Sequence, residues 1–521
     1  MILSLLLIAQ APAPVGSPAW HDYPEADALH YQVRLLLDPA AGRVEGSVEY
    51  RFRALAPLTA LTLDSVAADG WDIRFEDADG QALEAVRDGA RLRLQFPGGV
   101  PAEQEVRFRA LLAGQPPDGL YFAKTRYGEP AVFTDHFPAR ARGWMPCEDH
   151  PNDRAAFELL LAAPEGFAVI ASGGLEAPPL APDWPPQGFA AHGFRTRSDL
   201  PTYLLAFAAA PFARVEEEGD PRLIPHFVYA KDVPKARRAL QHHAEWMQHM
   251  EQTFGAYAYE KYTTVQIPTR WGGMENAGNT FLMQNIFDTQ RAGVPILAHE
   301  FAHQWFGDAV GYADWSEVWL SEGFASYFGP WLESQTGGPP LAQAMEGHRR
   351  DWLRSPEGRA YPVRWREFPE PDAVINPNAY PKGAWVLHML RGEIGDEAFF
   401  AGLRAYFLGN SGRAVDTPVL QAAVEKAAGR ELGWFFRQWL DRPGCPELQF
   451  EWREDGVRVR QTQAGDPYRF ALTLKWTGAD GSEHKQRFEV REPDTSLTLA
   501  GAPIKVPVVD PDIELLFRKA G

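Results

Sequence analysis

Residues 297–307 read Leu-Ala-His-Glu-Phe-Ala-His-Gln-Trp-Phe-Gly. No proline or glycine interrupts this stretch before Gly307, which predicts one continuous helix. On a helix, positions four apart differ by about 40° and lie on one face, so His299 and His303 can hold one metal ion. Two imidazoles at this spacing are typical of a Zn²⁺ site. Glu300, beside the first histidine, can take a proton from a water molecule there.

A third metal ligand is expected because catalytic zinc usually has three protein ligands and one open position. We predict that it is Glu322, within the sequence Trp-Leu-Ser-Glu-Gly-Phe-Ala at 319–325. Residues 311–315 include a glycine and indicate a turn that brings Glu322 back beside the histidines. The alternative is that His299 and His303 are ordinary helix residues and Glu322 is a surface acid. The apolar helix around Glu322 argues against this alternative.

Composition bounds the class of protein. With 521 residues, the chain is too long for one core, and about two to four domains are expected. A hydrophobic content of 45% and a charged content of 23% indicate a globular enzyme rather than a disordered chain. The formal net charge of −18 argues against a nucleic-acid partner. The two cysteines, Cys147 and Cys445, do not form a disulfide framework.

The N-terminus begins with a short apolar run at residues 2–9, followed by small-residue sites typical of signal-peptide cleavage. We expect residues 1–19 to be a signal peptide or a disordered N-terminus. The expected location is periplasmic or secreted, with the cytoplasm as the alternative. Against export, no Lys or Arg precedes the run, and a proline follows each cleavage site. No stretch of about 20 apolar residues occurs, so no membrane span is predicted.

Hydrophobic periodicity changes twice along the chain and predicts an α+β fold of three domains. Residues 20–215 alternate apolar and polar side chains, which predicts an antiparallel β-sheet domain with one solvated face. Residues 216–446 have helical spacing, including one helix predicted from Lys235 to Phe254, and indicate a mostly helical domain. Alternation returns in residues 447–521, which predicts a small β-sandwich.

A glycine-rich segment precedes the histidine helix and reads Trp-Gly-Gly-Met-Glu-Asn-Ala-Gly at residues 271–278. Gly272 and Gly273 let another backbone approach closely. An extended peptide could pair with this edge as an added strand, with Glu275 as a fixed negative charge at its end. Taken alone, the segment could also be a glycine-rich surface loop.

These segments together resemble the zinc aminopeptidases typified by aminopeptidase N and leukotriene hydrolase, which are gluzincin metallopeptidases. The family's first motif is usually Gly-Ala-Met-Glu-Asn, so Gly273 is a variant. The resemblance extends to Tyr-Pro-Lys-Gly at 380–383 and Pro-Gly-Cys-Pro at 443–446, and more weakly across both β domains. It implies a thermolysin-like catalytic domain in a short bacterial-type member without the family's large C-terminal helical domain.

The resemblance also implies roles for individual residues. It places one Zn²⁺ per chain on His299, His303 and Glu322, with Glu300 as the general base. Tyr380 would donate a hydrogen bond to the oxyanion, as suits a phenol with an ordinary pKa of about 10. The family's substrate-binding motif corresponds to Gly272, Gly273, Met274, Glu275 and Asn276.

Within that motif, the resemblance implies that Glu275 binds the free α-amine of the substrate. The family commonly has Gln-x-Glu or Gln-x-Gln at the positions of Asp135-His136-Phe137. Phe137 cannot bind an ammonium by charge, so Asp135 is expected to compensate.

The predicted function is a zinc aminopeptidase that hydrolyses the N-terminal bond of peptides with a free N-terminus. One alternative is an open-cleft zinc endopeptidase, favoured by the altered amine site; Glu275 argues against it because a carboxylate there favours a free amine. Another is epoxide hydrolysis, known in one branch of the family and supported by nothing specific in this sequence. A third is an inactive peptide-binding protein, but every ligand, the base and the tyrosine are present.

Overall fold

The computed structural model describes residues 25–176 and 184–520 as an N-terminal β domain, a helical domain and a C-terminal β domain. The α+β architecture expected from the sequence is confirmed. The predicted signal peptide at residues 1–19 lies outside the described residues, so export stays a prediction. Within the described residues, no helix is both long and apolar enough to cross a membrane.

Alternating burial along the strands builds the N-terminal domain. In the first strand Tyr31, Val33 and Leu35 are fully buried, while the side chains between them reach the surface. The strands are β1 Ala26–Asp38, β2 Arg43–Ala54, β3 Leu58–Asp64, β4 Trp71–Asp77, β5 Ala85–Asp88, β6 Arg91–Val100, β7 Glu105–Gly114, β8 Leu120–Lys124, β9 Pro130–Thr134, β10 Ala156–Pro164, β11 Ala168–Ala171, β12 Gly174–Glu176, β13 Phe189–Arg195 and β14 Phe207–Ala210.

These strands form three sheets. The largest has the order β12-β13-β10-β1-β2-β7-β4, and its pairs are antiparallel except for the parallel pair of β1 and β10. The others have the orders β11-β14-β9-β8 and β3-β6-β5.

A five-stranded sheet opens the helical domain and carries the glycine-rich segment. Its order is β15-β16-β17-β19-β18, so β18 lies at an edge and pairs antiparallel with β19. Its strands are β15 Ala213–Val215, β16 His226–Val228, β17 Thr264–Ile267, β18 Gly273–Met274 and β19 Thr280–Met283. A short parallel pair, β20 Val310–Tyr312 and β21 Arg413–Val415, lies where the turn before Glu322 was predicted. Because β18 is an edge strand, the segment predicted to accept a peptide strand has a free edge within the described residues.

Ten α-helices form the body of the domain within the described residues. They are α1 Val233–Ala239, α2 His243–Thr253, α3 Val294–His303, α4 Trp319–Gln335, α5 Leu341–Arg354, α6 Glu357–Ala360, α7 Gly383–Ile394, α8 Asp396–Asn410, α9 Thr417–Ala428 and α10 Gly433–Leu440. A π-helical segment, Asn378–Lys382, leads directly into α7.

The helix predicted from Lys235 to Phe254 is instead two helices, α1 and α2. Leu240 leaves the helical conformation with a ψ of 70°, and its side chain is buried. Apolar residues continue at helical spacing on both sides of the break, so the pattern concealed it.

The C-terminal domain is a two-sheet sandwich, as predicted. One sheet has the order β26-β23-β22-β28 and the other β25-β24-β27. The strands are β22 Glu447–Arg453, β23 Gly456–Gln461, β24 Phe470–Thr477, β25 Glu483–Val490, β26 Asp494–Thr498, β27 Val508–Val509 and β28 Arg518–Lys519.

Candidate metal and peptide site

Three side chains converge in the helical domain. The Nε2 atoms of His299 and His303 lie 3.1 Å apart, and each lies 3.3 Å from Oε2 of Glu322. Ligands of a tetrahedral zinc ion, each at about 2.0–2.1 Å from it, are separated by about 3.3 Å. The residues present therefore fit the ion that the sequence predicts.

Contacts between α3 and α4 orient both histidine rings. Nδ1 of His303 lies 2.9 Å from the hydroxyl of Ser321, and His299 is hydrogen-bonded to the backbone of α4. A Cβ atom at Gly329 would lie only 2.9 Å from the backbone nitrogen and Cα of His299. Glycine thus lets α4 approach α3 closely enough for Glu322 to join the two histidines. Such outer contacts hold metal ligands in place.

Acidic groups crowd this region. One carboxylate oxygen of Glu275, one of Glu300 and a ring nitrogen of His303 lie within 4.8 Å of one another. Burial raises the pKa of Glu300 well above its ordinary value; His303 opposes this shift, and the charges of Glu275 and Glu322 add to it. Burial also raises the pKa of Glu275 to about 7. Because buried carboxylates are tolerated where cations pair with them, the region favours positive charge.

Buried groups on both sides hold the loop that follows Glu275. The side-chain amide of Gln304 donates to the backbone carbonyl of Glu275 at 2.8 Å and accepts from the backbone N–H of Gly278 at 2.9 Å. From the other side, the side-chain nitrogen Nζ of Lys261 donates to the side chain of Asn279. Within the described residues, Oε1 of Glu275 is buried and has no hydrogen-bond partner. A buried acceptor in this state calls for a donor from a ligand or solvent.

Tyr380 reaches the three candidate metal ligands from the π-helical segment. Its hydroxyl donates to Oε1 of Glu322 at 2.8 Å, and its ring stacks on His299 with centroids 6.1 Å apart. Close packing of α4 against the start of α7 places Tyr380 there. A Cβ atom at Gly323 would lie only 2.9 Å from Cα of Gly383, so glycine permits this packing. Burial, followed by the charge of Glu322, raises the pKa of Tyr380 well above its ordinary value and keeps the phenol protonated.

A cavity of about 570 Å³ joins these groups. Its apolar wall includes Phe137, Trp271 and Ile296. The predicted residues that line it are Gly272, Gly273, Met274, Glu275, Glu300, Tyr380 and the three residues that fit a metal, His299, His303 and Glu322.

Two predicted substrate-binding residues, Asp135 and Asn276, do not line the cavity. The carboxylate of Asp135 accepts hydrogen bonds from Trp271 Nε1 at 3.1 Å and from the Thr269 hydroxyl at 3.2 Å. Asp135 therefore supports the aromatic wall, and this arrangement gives no support to its predicted contact with the amine. Asn276 is buried, and its side-chain nitrogen has no hydrogen-bond partner within the described residues.

Comparison with known proteins agrees with this architecture. The Peptidase M1 N-terminal domain matches residues 27–204, and the Peptidase family M1 domain matches residues 238–439. The chain belongs to the M1 family of zinc metallopeptidases. A solved structure of a mutant M1 zinc metallopeptidase from Deinococcus radiodurans superposes with a TM-score of 0.68 at 26% identity. The superposition covers 82% of the chain described here and 96% of the Deinococcus chain.

Two relatives of this chain are described as aminopeptidases. Aminopeptidase N of Streptomyces lividans is 27% identical over 411 residues, which are 73% of the M1 chain and 46% of the relative. Leucyl aminopeptidase of Saccharolobus solfataricus is 26% identical over 410 residues, which are 75% of the M1 chain and 50% of the relative. The chain described here thus spans about half the length of these curated relatives.

A second group of possible metal ligands, Glu217, His226 and His243, lies elsewhere in the M1 chain. The backbone N–H of Thr264 donates to Nδ1 of His226 at 3.1 Å, so the hydrogen of the neutral ring is on Nε2. That nitrogen lies 3.0 Å from Glu217, and Nδ1 of His243 lies 2.7 Å from the same oxygen. With both nitrogens of His226 in use, the group is a hydrogen-bonded cluster rather than a metal site.

Sequence patterns did not identify Gln304, Ser321 and His348 as residues of this site. Gln304 and Ser321 directly adjoin predicted metal ligands, and polar residues inside an apolar helix need partners, so their positions were a usable signal. His348 lies on α5, away from every motif, and its spacing gave no signal.

Proposed function

We propose that this chain is a zinc aminopeptidase that removes the N-terminal residue of peptides, with one Zn²⁺ per chain on His299, His303 and Glu322. The observation that carries the proposal is a buried oxygen of Glu275 that has no partner in the described part of the chain and lies beside the cavity, at the end of edge strand β18. The ammonium of a peptide can donate to this oxygen, with charge assistance.

The charge of the site supports the proposal. Glu275, Glu300 and Glu322 are all buried, yet only the imidazoles of His299 and His303 adjoin them as possible cations among the described residues. A Zn²⁺ ion, with two positive charges, and a substrate ammonium, with one, would balance these three carboxylates. An endopeptidase substrate would supply only the peptide backbone at Glu275 and leave its charge buried without a partner.

The chain's own residues then divide the chemistry. A zinc ion bound to the three ligands supplies Lewis acidity and lowers the pKa of water. Glu300, whose pKa burial raises, takes a proton from the attacking water and returns it to the leaving amine. Tyr380, which stays protonated, donates to the oxyanion that develops on the scissile carbonyl. Glu275 holds the ammonium one residue from the bond that breaks.

The names of the relatives support peptidase activity at N-termini. They include aminopeptidase N of Streptomyces lividans and leucyl aminopeptidase of Saccharolobus solfataricus. Activity on peptides with a free N-terminus is therefore proposed for this chain as well.

The test is a panel of aminoacyl fluorogenic amides assayed beside N-acetylated copies. We expect cleavage of the free amides only, loss of activity on chelation and its return with added zinc. Equal cleavage of free and acetylated substrates would replace the aminopeptidase proposal with the endopeptidase one. Full activity without bound metal would overturn the zinc assignment.

A further inference from the structure

Two polar side chains, Ser326 and His348, line the same cavity beyond the metal ligands. Ser326 lies one turn after Glu322 on α4, and His348 comes from α5. Neither takes part in the metal site or in the amine site described above. Pro295 and Ile296, which also line the cavity, are apolar. Ser326 and His348 therefore form a polar patch next to an apolar part of the wall.

The hydrogen bonding of His348 fixes what its ring offers to the cavity. Nε2 lies 3.0 Å from the backbone carbonyl of Ser326, and a carbonyl can only accept, so Nε2 carries the hydrogen. The neutral ring then has its lone pair on Nδ1. Within residues 25–176 and 184–520 no group is hydrogen-bonded to Nδ1, and this atom is not sealed from solvent. Burial lowers the pKa of His348, which keeps the ring neutral at pH 7.

The direction of a bound peptide follows from the edge strand. Gly272 lies against Ile296, and the carbonyl of Glu275 is bonded to Gln304, so the strand runs in the same direction as α3. A peptide that has its ammonium at Glu275 and pairs antiparallel with this strand extends toward Gly272 and the first half of α3.

His348 lies at the end of the cavity toward which such a peptide points. Helix α4 runs antiparallel to α3, because Ser321 lies against His303 whereas Gly329 lies against the backbone of Ala298 and His299. Ser326, further along α4 than Ser321, is thus displaced toward the start of α3, and so is His348, which donates to its carbonyl. The side chain of the second residue of the peptide, just after the bond that breaks, therefore approaches Ser326 and His348.

We propose that Ser326 and His348 form the subsite for the second residue of the peptide and select side chains that donate a hydrogen bond over acidic ones. The inference rests on the proposed aminopeptidase function and deepens it. A lysine, glutamine or serine side chain can donate to Nδ1 of His348 and to the Ser326 hydroxyl. A glutamate would meet a lone pair and the negative charges of the site instead.

The test uses peptides that differ only at the second residue, with glutamine, glutamate, lysine or leucine there. For the wild-type holoenzyme we expect kcat/KM for glutamine to exceed that for leucine by about 2- to 10-fold, the effect of one net hydrogen bond. Glutamate, which has the shape of glutamine, should be the poorest substrate of the four. Equal rates for glutamine and glutamate in the wild type would overturn the proposal.

Two variants separate contact with the substrate from a role in folding. His348→Leu removes the acceptor and should abolish the preference for glutamine over leucine. His348→Gln keeps a donor for the Ser326 carbonyl and an acceptor for the cavity, and should restore part of that preference. An unchanged preference in His348→Leu would refute the subsite. Failure to cleave any free peptide would instead refute the proposed function, so the two failures are distinguishable.

Discussion

Gln304 donates a hydrogen bond of 2.8 Å from its side-chain amide to the backbone carbonyl of Glu275. Gln304 directly follows the predicted metal ligand His303, and its amide oxygen also accepts from the N–H of Gly278. One side chain therefore links the helix that carries His299 and His303 to the loop that holds Glu275. In the proposed function, this link sets the distance between the bound ammonium and the bond that is cut.

Replacing Gln304 by methionine should loosen this link. The variant leaves the buried N–H of Gly278 without its acceptor, which costs about 1–3 kcal/mol of stability. We expect zinc content to be kept, while kcat/KM for free aminoacyl amides falls because Glu275 is no longer held in register. Gln461→Met is the matched control, since Gln461 binds the backbone of Tyr468 in the sandwich, far along the chain. Equal losses of activity in both variants would show a general folding effect.

Gly329→Ala tests the contact between α3 and α4. Its Cβ atom would lie 2.9 Å from the backbone of His299, and neither helix backbone can turn aside. We expect weaker zinc binding and a loss of stability of about 1–3 kcal/mol, as for other overpacked sites. Gly347→Ala is the control, because nothing lies within 4 Å of a Cβ atom there; it should stabilise α5 by about 0.5–1 kcal/mol. Normal zinc affinity in Gly329→Ala would disprove the role of this contact.

Tyr380→Phe tests the oxyanion donor. Loss of one such donor typically lowers kcat by about 10²–10³. KM should change much less, because the bond forms mainly in the transition state. Zinc content should stay normal, since the hydroxyl contacts Oε1 of Glu322, not the Oε2 that faces the histidines. Steady-state kinetics with near-normal kcat would exclude this role for Tyr380.

The buried side chain of Lys261 should make the stability of the fold depend on pH. Burial lowers its pKa from 10.5 to about 7 in the folded chain. Between these values the unfolded chain binds the proton and the folded chain does not, so the free energy of unfolding rises with pH. Relative to Lys261→Met, the wild type should therefore gain up to about 1.4 kcal/mol per pH unit above pH 7.

Urea unfolding of both proteins at pH 7 and pH 9 measures this difference. Lys505→Met, at an exposed lysine of the sandwich, should not show it. A difference between wild type and Lys261→Met that is constant with pH would contradict the burial of an uncharged lysine.

The sequence predicted the fold and the convergence of His299, His303 and Glu322 because their signals are local and periodic. His299 and His303 share one helical face, and the change from a two-residue to a helical period marks the catalytic domain. The close contact at Gly329 and the link from Gln304 depend on how helices and loops pack in three dimensions. The periodicity of the sequence carries no information about that packing. Asp135 shows the same limit, since its hydrogen bond to Trp271 joins residues from different domains.

Selection of a free amine by Glu275 can be measured in a single comparison. Wild type and Glu275→Gln are assayed on the same aminoacyl amide with a free and an N-acetylated N-terminus. A charge-assisted hydrogen bond contributes about 1.5–3 kcal/mol, so the variant should lose about tenfold or more of its kcat/KM on the free amide alone. Its zinc content should match the wild type. If wild type cleaves both substrates equally, or if Glu275→Gln keeps full activity on the free amide, Glu275 does not select the free amine.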